Sequence, residues 1–174
     1  MMKVIVKTLI FTIIVPGTVA VYLPSSMLPS GVKWLPDEIG VRWLSGVFLI
    51  AVGAAFYVRC ALDFAFAGHG TPAPIDPPTA LVSRGLYRRV RNPMYVGVVS
   101  ILIGESIAFE SLVLLRYAAI VWLVFHLVVF FYEEPTLKKT FGSAYEEYCK
   151  TVPRWIPRLR ISPAQQSKTS PTGE

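Results

Sequence analysis

Charged residues are scarce in this sequence. They make up 16% of its 174 residues, while 53% are hydrophobic and mean hydropathy is +0.53. A soluble domain carries about a quarter charged residues, so a soluble single-core protein is disfavoured. Disorder is excluded over most of the length, because low hydrophobicity is its signature. Cysteine is nearly absent. Cys60 and Cys149 make neither a disulfide framework nor a zinc site, and they read as two reduced thiols with no metal expected. Acidic residues are outnumbered, 11 against 17 lysines and arginines, for a net charge of +6. In a soluble protein that balance suggests nucleic acid. Here the basic residues flank apolar runs, the pattern of the cytoplasmic side of a membrane protein, so no nucleic-acid partner is expected. No internal repeat is visible, and one domain is the default at this length.

What the sequence does have is apolar runs of bilayer length. A span takes about 20 residues at 1.5 Å rise each. Residues 4–23, 43–66, 94–109 and 112–132 qualify or nearly do. The first reads as a retained anchor, since a signal core is shorter and Thr18 to Ala20 is a weak cleavage site. Only Glu110 and Ser111 separate the third and fourth, which predicts a tight antiparallel hairpin. The third is short and must tilt little or end among the headgroups. Lysine and arginine set the orientation. Lys3, Lys7, the group Arg84, Arg88, Arg89 and Arg91, and the group from Lys138 to Arg160 all fall on one side of four spans. The loop 24–42 holds only Lys33 and Arg42. The expected fold is therefore all-α: a polytopic bundle of about four membrane helices with both termini cytoplasmic, one domain over residues 1–161.

Three connecting regions complete the expectation. Residues 70–78, GTPAPIDPP, suit neither helix nor sheet. Leu137, Phe141, Tyr145 and Tyr148 recur on one helical face, with Lys138, Lys139, Glu146 and Glu147 opposite. They predict a short amphipathic helix on the membrane surface or capping the bundle. Residues 162–174 are polar and rich in Pro, Ser and Thr, and read as a disordered tail.

The densest group of candidate functional residues runs from Gly85 to Gly97. Asn92 before Pro93 reads as a helix start, with Asn as N-cap and Pro at the first helical position. The free N–H groups of that turn suit an anionic or oxygen-rich ligand group. Tyr95 lies on the same side, and Gly97 permits close approach of a neighbour. Glu133 and Glu134 end the fourth apolar run, where adjacent acids are costly in hydrocarbon. Pro135 predicts a kink or break there. His126 lies seven residues earlier, on nearly the same face. Other charges read as structural: Arg59 with Asp63 at i, i+4, and Glu105 with Arg116 across the hairpin. Ser100 with Gly104, and Ala51 with Ala55, suit close helix packing.

The ordered blocks Leu81-Val-x-x-Gly-x-Tyr-x-x-x-Arg-Asn-Pro-Met-Tyr-x-Gly97, Glu133-Glu-x-x-Leu137, Phe141-Gly-x-x-Tyr-x-x-Tyr148 and Val152-Pro-Arg154 resemble the isoprenylcysteine carboxyl methyltransferase family. The related phospholipid methyltransferases share a looser version. The resemblance implies an integral-membrane enzyme that uses S-adenosylmethionine at the cytoplasmic face of the cell (inner) membrane. It implies a pocket closed by the C-terminal elements, and a lipophilic or lipid acceptor entering from the bilayer. Carried over by position, cofactor contacts would be Leu81, Val82, Tyr87, Asn92, Pro93, Met94, Tyr95 and Glu133. Arg91, Glu134 and Tyr145 would support them. Methyl transfer to a carboxylate or amine would need mainly positioning and exclusion of water. An alcohol or phenol acceptor would need a base, for which His126 is the candidate.

Two positions depart from the family pattern. Asn92 replaces a histidine and cannot titrate near neutral pH. Val129 stands where the eukaryotic prenylcysteine enzymes have a substrate-binding arginine. If the site lacks only that charge, Val129→Arg would improve turnover of a prenylcysteine analogue. The readings to be weighed against this one are a phospholipid or amine N-methyltransferase, an NADPH-binding reductase of the sterol-reductase type, and a membrane protein without catalysis.

Overall fold

The computed structural model describes Ile10 and residues 12–63, 81 and 83–157. The expectations for the start of the first run, the GTPAPIDPP stretch, Val82 and the C-terminal tail lie outside the described residues. Among the described residues all regular structure is helical. We label the helices α1 (Thr12–Met27), α2 (Val41–Asp63), α3 (Pro93–Ala108), α4 (Leu112–Phe141) and α5 (Ser143–Thr151). A 3-10 turn, Gly85–Arg88, leads into α3.

Helices α2 and α4 are long and apolar enough to cross a membrane, and only 22% of the most apolar window of each is buried. A core helix of a soluble protein would be mostly covered. Here the uncovered side chains are themselves apolar, among them Leu44, Phe48, Ile120, Leu123, Leu127 and Phe131. Such surface is stable in hydrocarbon and costly in water. The described part of α1 and the whole of α3 are apolar but shorter. Sixteen residues of α3 reach about 24 Å, less than the hydrocarbon thickness of about 30 Å. Ala20, Tyr57, Val98, Leu102, Ala118 and Val121 form the core where α1 to α4 meet.

The tightest seam joins α2 to α3. Gly46 faces Gly104, and Gly53 faces Gly97. A Cβ on Gly53 would stand 2.5 Å from the Gly97 carbonyl oxygen, and one on Gly46 2.6 Å from that of Gly104. The antiparallel backbones therefore touch at two points one heptad apart, the close approach that small residues permit between membrane helices. The expectation for Gly97 is met. The pairing expected of Ala51 and Ala55 is not, because both face outward.

Pro135 does not break the fourth helix. Residues Val129–Glu133 widen into a π turn in which the Glu134 N–H bonds to the Val129 carbonyl, and the helix continues to Phe141. A proline ring clashes with the carbonyl four residues earlier and removes one donor. Shifting the ladder to i→i−5 accommodates both. Helix α1 repeats the device: Thr18–Tyr22 is a π turn closed by the Leu23 N–H on Thr18, immediately before Pro24. The amphipathic helix expected after the fourth run is divided in two. Gly142, at φ +53°, ends α4 and starts α5, a conformation that glycine adopts without steric cost. Lys138, Lys139, Glu146 and Glu147 are exposed as expected, whereas Tyr145 and Tyr148 are buried with Val152 against Leu81, Leu137 and Phe141.

Arg59 pairs with Asp63 at 3.2 Å, as the spacing predicts. Glu105 does not pair with Arg116. Its carboxyl is buried in the bundle, with Oε2 lacking a hydrogen-bond partner among the described residues, and Arg116 is exposed. Equal distance from the hairpin turn sets depth but not direction, and the two side chains leave their helices on different faces.

Candidate functional site

At the end of the bundle remote from the α3–α4 hairpin, the arginine-rich segment meets the acidic pair of α4. Between them lies a cavity of about 70 Å³ lined by Tyr87, Arg91, Asn92, Glu133, Glu134 and Tyr145, and closed by Leu81, Leu137, Phe141 and Tyr148. Local structure explains the placement. The 3-10 turn buries Tyr87 against Cys60 of α2 and Met94 of α3. The π turn of α4 rotates Glu133 toward α3, where the Tyr95 hydroxyl donates to its carboxylate.

Glu134 is the electrostatic hub. Arg154 grips it in bidentate fashion, Nε to Oε1 at 2.7 Å and Nη2 to Oε2 at 2.8 Å, and Arg91 Nη1 lies 3.0 Å from Oε1. Arg91 Nη1 also donates to Cys149 Sγ at 2.8 Å. The same region is stitched through backbone groups. The Arg91 N–H donates to the Pro153 carbonyl at 2.8 Å, Asn92 Nδ2 to the Arg154 carbonyl at 3.1 Å, and the Tyr148 hydroxyl to the Tyr87 carbonyl at 2.7 Å. Two guanidiniums thus converge on one carboxylate, with Glu133 as a second acid in the same cavity. Arg91 Nε is buried and has no hydrogen-bond partner among the described residues. Burial raises the pKa values of Tyr87, Tyr145 and Tyr148, so all three are neutral hydroxyls at neutral pH. They bring rings and dipoles to the walls, not charge.

The structure thus brings together Leu81, Tyr87, Arg91, Asn92, Glu133, Glu134 and Tyr145. Tyr95 reaches the site through Glu133. Pro93 is buried at the first turn of α3, and Met94 packs toward the core; neither lines the cavity. Asn92 occupies the N-cap position, but its side chain makes no capping bond and holds the C-terminal segment instead. His126 stands apart. Its Nδ1 accepts from Trp155 Nε1 at 3.1 Å, and it is not among the lining residues.

Val129 is fully buried in the π turn, so it faces neither cavity nor lipid. An arginine there would bury an unpaired charge, at a cost of several kcal/mol. Val129→Arg is therefore expected to lower the yield of monodisperse protein and its melting temperature, not to raise turnover; a stable variant with improved turnover would contradict the placement. Sequence reasoning missed Cys149 and the role of Arg154. Arg154 ends the last motif block, and that block was the signal available for it.

This geometry defines a helical membrane protein with a cavity at one end of its bundle, walled by apolar and tyrosine side chains and carrying Arg91, Asn92, Glu133 and Glu134. The family model described as phospholipid methyltransferase matches residues 41–144, more than half of the chain, and the chain belongs to that family. It is similar to the protein-S-isoprenylcysteine O-methyltransferase B of Arabidopsis thaliana, 33% identical over 78 residues, 44% of this chain and 39% of that protein. It is also similar to the protein-S-isoprenylcysteine O-methyltransferase of Schizosaccharomyces pombe, 36% identical over 80 residues, 45% of this chain and 34% of that protein. The matched region thus spans little more than a third of the length of these curated relatives. No solved structure matches significantly.

Proposed function

We propose that the protein is an integral-membrane methyltransferase that takes S-adenosylmethionine from the cytoplasm and methylates a lipophilic acceptor delivered by the bilayer. Four spans, with both termini cytoplasmic in the inner membrane, are part of this reading. One observation carries it. Two segments remote in sequence, residues 87–92 and 133–134, enclose a single cavity in a chain of a methyltransferase family.

The residues present fit the cofactor. Arg91 Nε is a buried donor without a partner among the described residues, and suits an oxygen of a carboxylate. Glu133, held by Tyr95, suits hydroxyl or cationic groups. Tyr87 and Tyr145 offer ring faces. When bound, the cofactor would supply an electrophilic methyl group. The protein's part is to bind and orient, and to exclude water through the apolar rim of Leu137 and Phe141.

The resemblance to O-methyltransferases favours a carboxylate acceptor, and the family description favours a phospholipid amine. Incubation of the full chain in lipid vesicles with methyl-labelled S-adenosylmethionine tests both. Label in the organic phase supports the reading. Alkali releases it as methanol from an ester and leaves it on an amine. Failure to label any lipophilic acceptor, together with NADPH-dependent reduction of a sterol double bond, would replace this reading with the reductase.

A further inference from the structure

Trp122, His126 and Phe130 stand four residues apart on one face of α4, and their rings form a ladder. Trp122 and His126 stack at 5.5 Å and 25°, and His126 and Phe130 at 6.3 Å and 12°. The segment after α5, residues 152–157, lies along this ladder. Arg154 sits 5.4 Å above the centre of the Phe130 ring. The Trp155 ring lies 5.9 Å from that of His126 and 6.4 Å from that of Trp122, and its N–H donates to His126 Nδ1 at 3.1 Å. An indole nitrogen can only donate, so this contact requires a neutral imidazole with its proton on Nε2. His126 here is an anchor for tryptophan.

Depth makes the contact informative. His126 precedes Glu133 by seven residues, which places it about 10 Å along α4 from the polar cavity toward the middle of the span. A segment leaving α5 at the polar end would be expected to run through water. This one turns back along the helix, from Phe130 to His126 and Trp122, and carries Ile156 at 80% exposure. An isoleucine that open to solvent has no stabilising partner in water, whereas at this depth acyl chains cover it. The one charge of the described segment, Arg154, is held by the Glu134 carboxylate through two hydrogen bonds.

We propose that residues 152–157 form a strap embedded in the bilayer, with Trp155, held by His126, and Ile156 in contact with lipid acyl chains. The strap's backbone also accepts the bonds from Arg91 and Asn92, so the lipid contact ties the cavity wall to the membrane. The proposal rests on the reading that α4 crosses the bilayer.

The test uses the full chain reconstituted in phosphatidylcholine vesicles whose lipids carry bromine at mid-chain. One variant keeps Trp155 as its sole tryptophan, with Trp34, Trp43 and Trp122 changed to Phe. A reference variant keeps only Trp122. Circular dichroism confirms that both are folded. Strong quenching of Trp155 is expected, retained in His126→Gln, whose amide oxygen still accepts, and reduced in His126→Leu. Quenching of Trp122 without quenching of Trp155 would overturn the strap while leaving α4 in the membrane. Absence of both would overturn the membrane placement of α4 and the strap with it. Equal quenching of Trp155 in His126→Leu would overturn the anchoring role of His126.

Discussion

Replacing Glu134 with alanine is expected to lower the stability of the protein by roughly 3–5 kcal/mol, the typical cost of removing one partner from a buried ion pair. The side chain is 17% exposed and holds two arginines that are themselves largely covered, at 13% and 27%. Without it, Arg91 and Arg154 repel each other beside Cys149, and the segment after α5 loses its strongest attachment. The expected readout is a large fall in melting temperature in detergent. Removing the orphaned charge as well, in Glu134→Leu with Arg154→Met, is expected to restore part of the loss, because much of the penalty belongs to the charges left behind. A Glu134→Ala variant that melts like the parent would show that the two arginines do not depend on this carboxylate.

The second large effect lies at the seam of α2 and α3. Gly53→Leu would drive a side chain into the Gly97 carbonyl and the Ile101 side chain, which already stand 2.5 and 2.9 Å from the position of a Cβ. Neither can retreat cheaply, since one is backbone and the other is packed between helices. Overpacking of this kind costs about 1–3 kcal/mol or more. Because Asn92, which lines the cavity, is the N-cap of α3, separating the helices also displaces one wall of the cavity. Gly53→Leu is therefore expected to reduce both melting temperature and ligand binding. Gly40→Ala, with open space around the added methyl, is expected to change neither. Equal melting of the two variants would contradict the contact.

The sequence carries the apolar runs plainly, because a bilayer-length stretch needs only composition to be recognised. It also shows the two ends of the site, as Arg91-Asn92-Pro93 and Glu133-Glu134. Three features were not legible, each for a physical reason. The sequence offers small residues at spacings of four, Ala51 with Ala55 and Ser100 with Gly104. The glycines that touch are seven apart, a register that only the facing helix selects. Pro135 predicts a kink or break because its steric rule forbids an ordinary helical ladder, and a π turn escapes that rule without altering composition. The family resemblance gives Glu134 a supporting role but names no partner for it. Arg154 follows it by twenty residues, and only the turn at Gly142 returns the chain to it. Spacing puts His126 on nearly the same face as Glu133, but it cannot show that Trp155 of the segment after α5 returns to donate to His126 Nδ1.

The central claim is that the arginine-rich entrance to α3 and the acidic pair of α4 form one adenosyl-binding cavity. Calorimetric titration of S-adenosylhomocysteine into the purified full chain tests it most directly, with Glu133→Gln in parallel. Glutamine preserves an acceptor for the Tyr95 hydroxyl, so the fold is expected to survive. The account predicts saturable binding at one site, weakened about tenfold or more in the variant, the loss expected of one charge-assisted hydrogen bond. No binding by the parent protein, or equal affinity in the two, would contradict it.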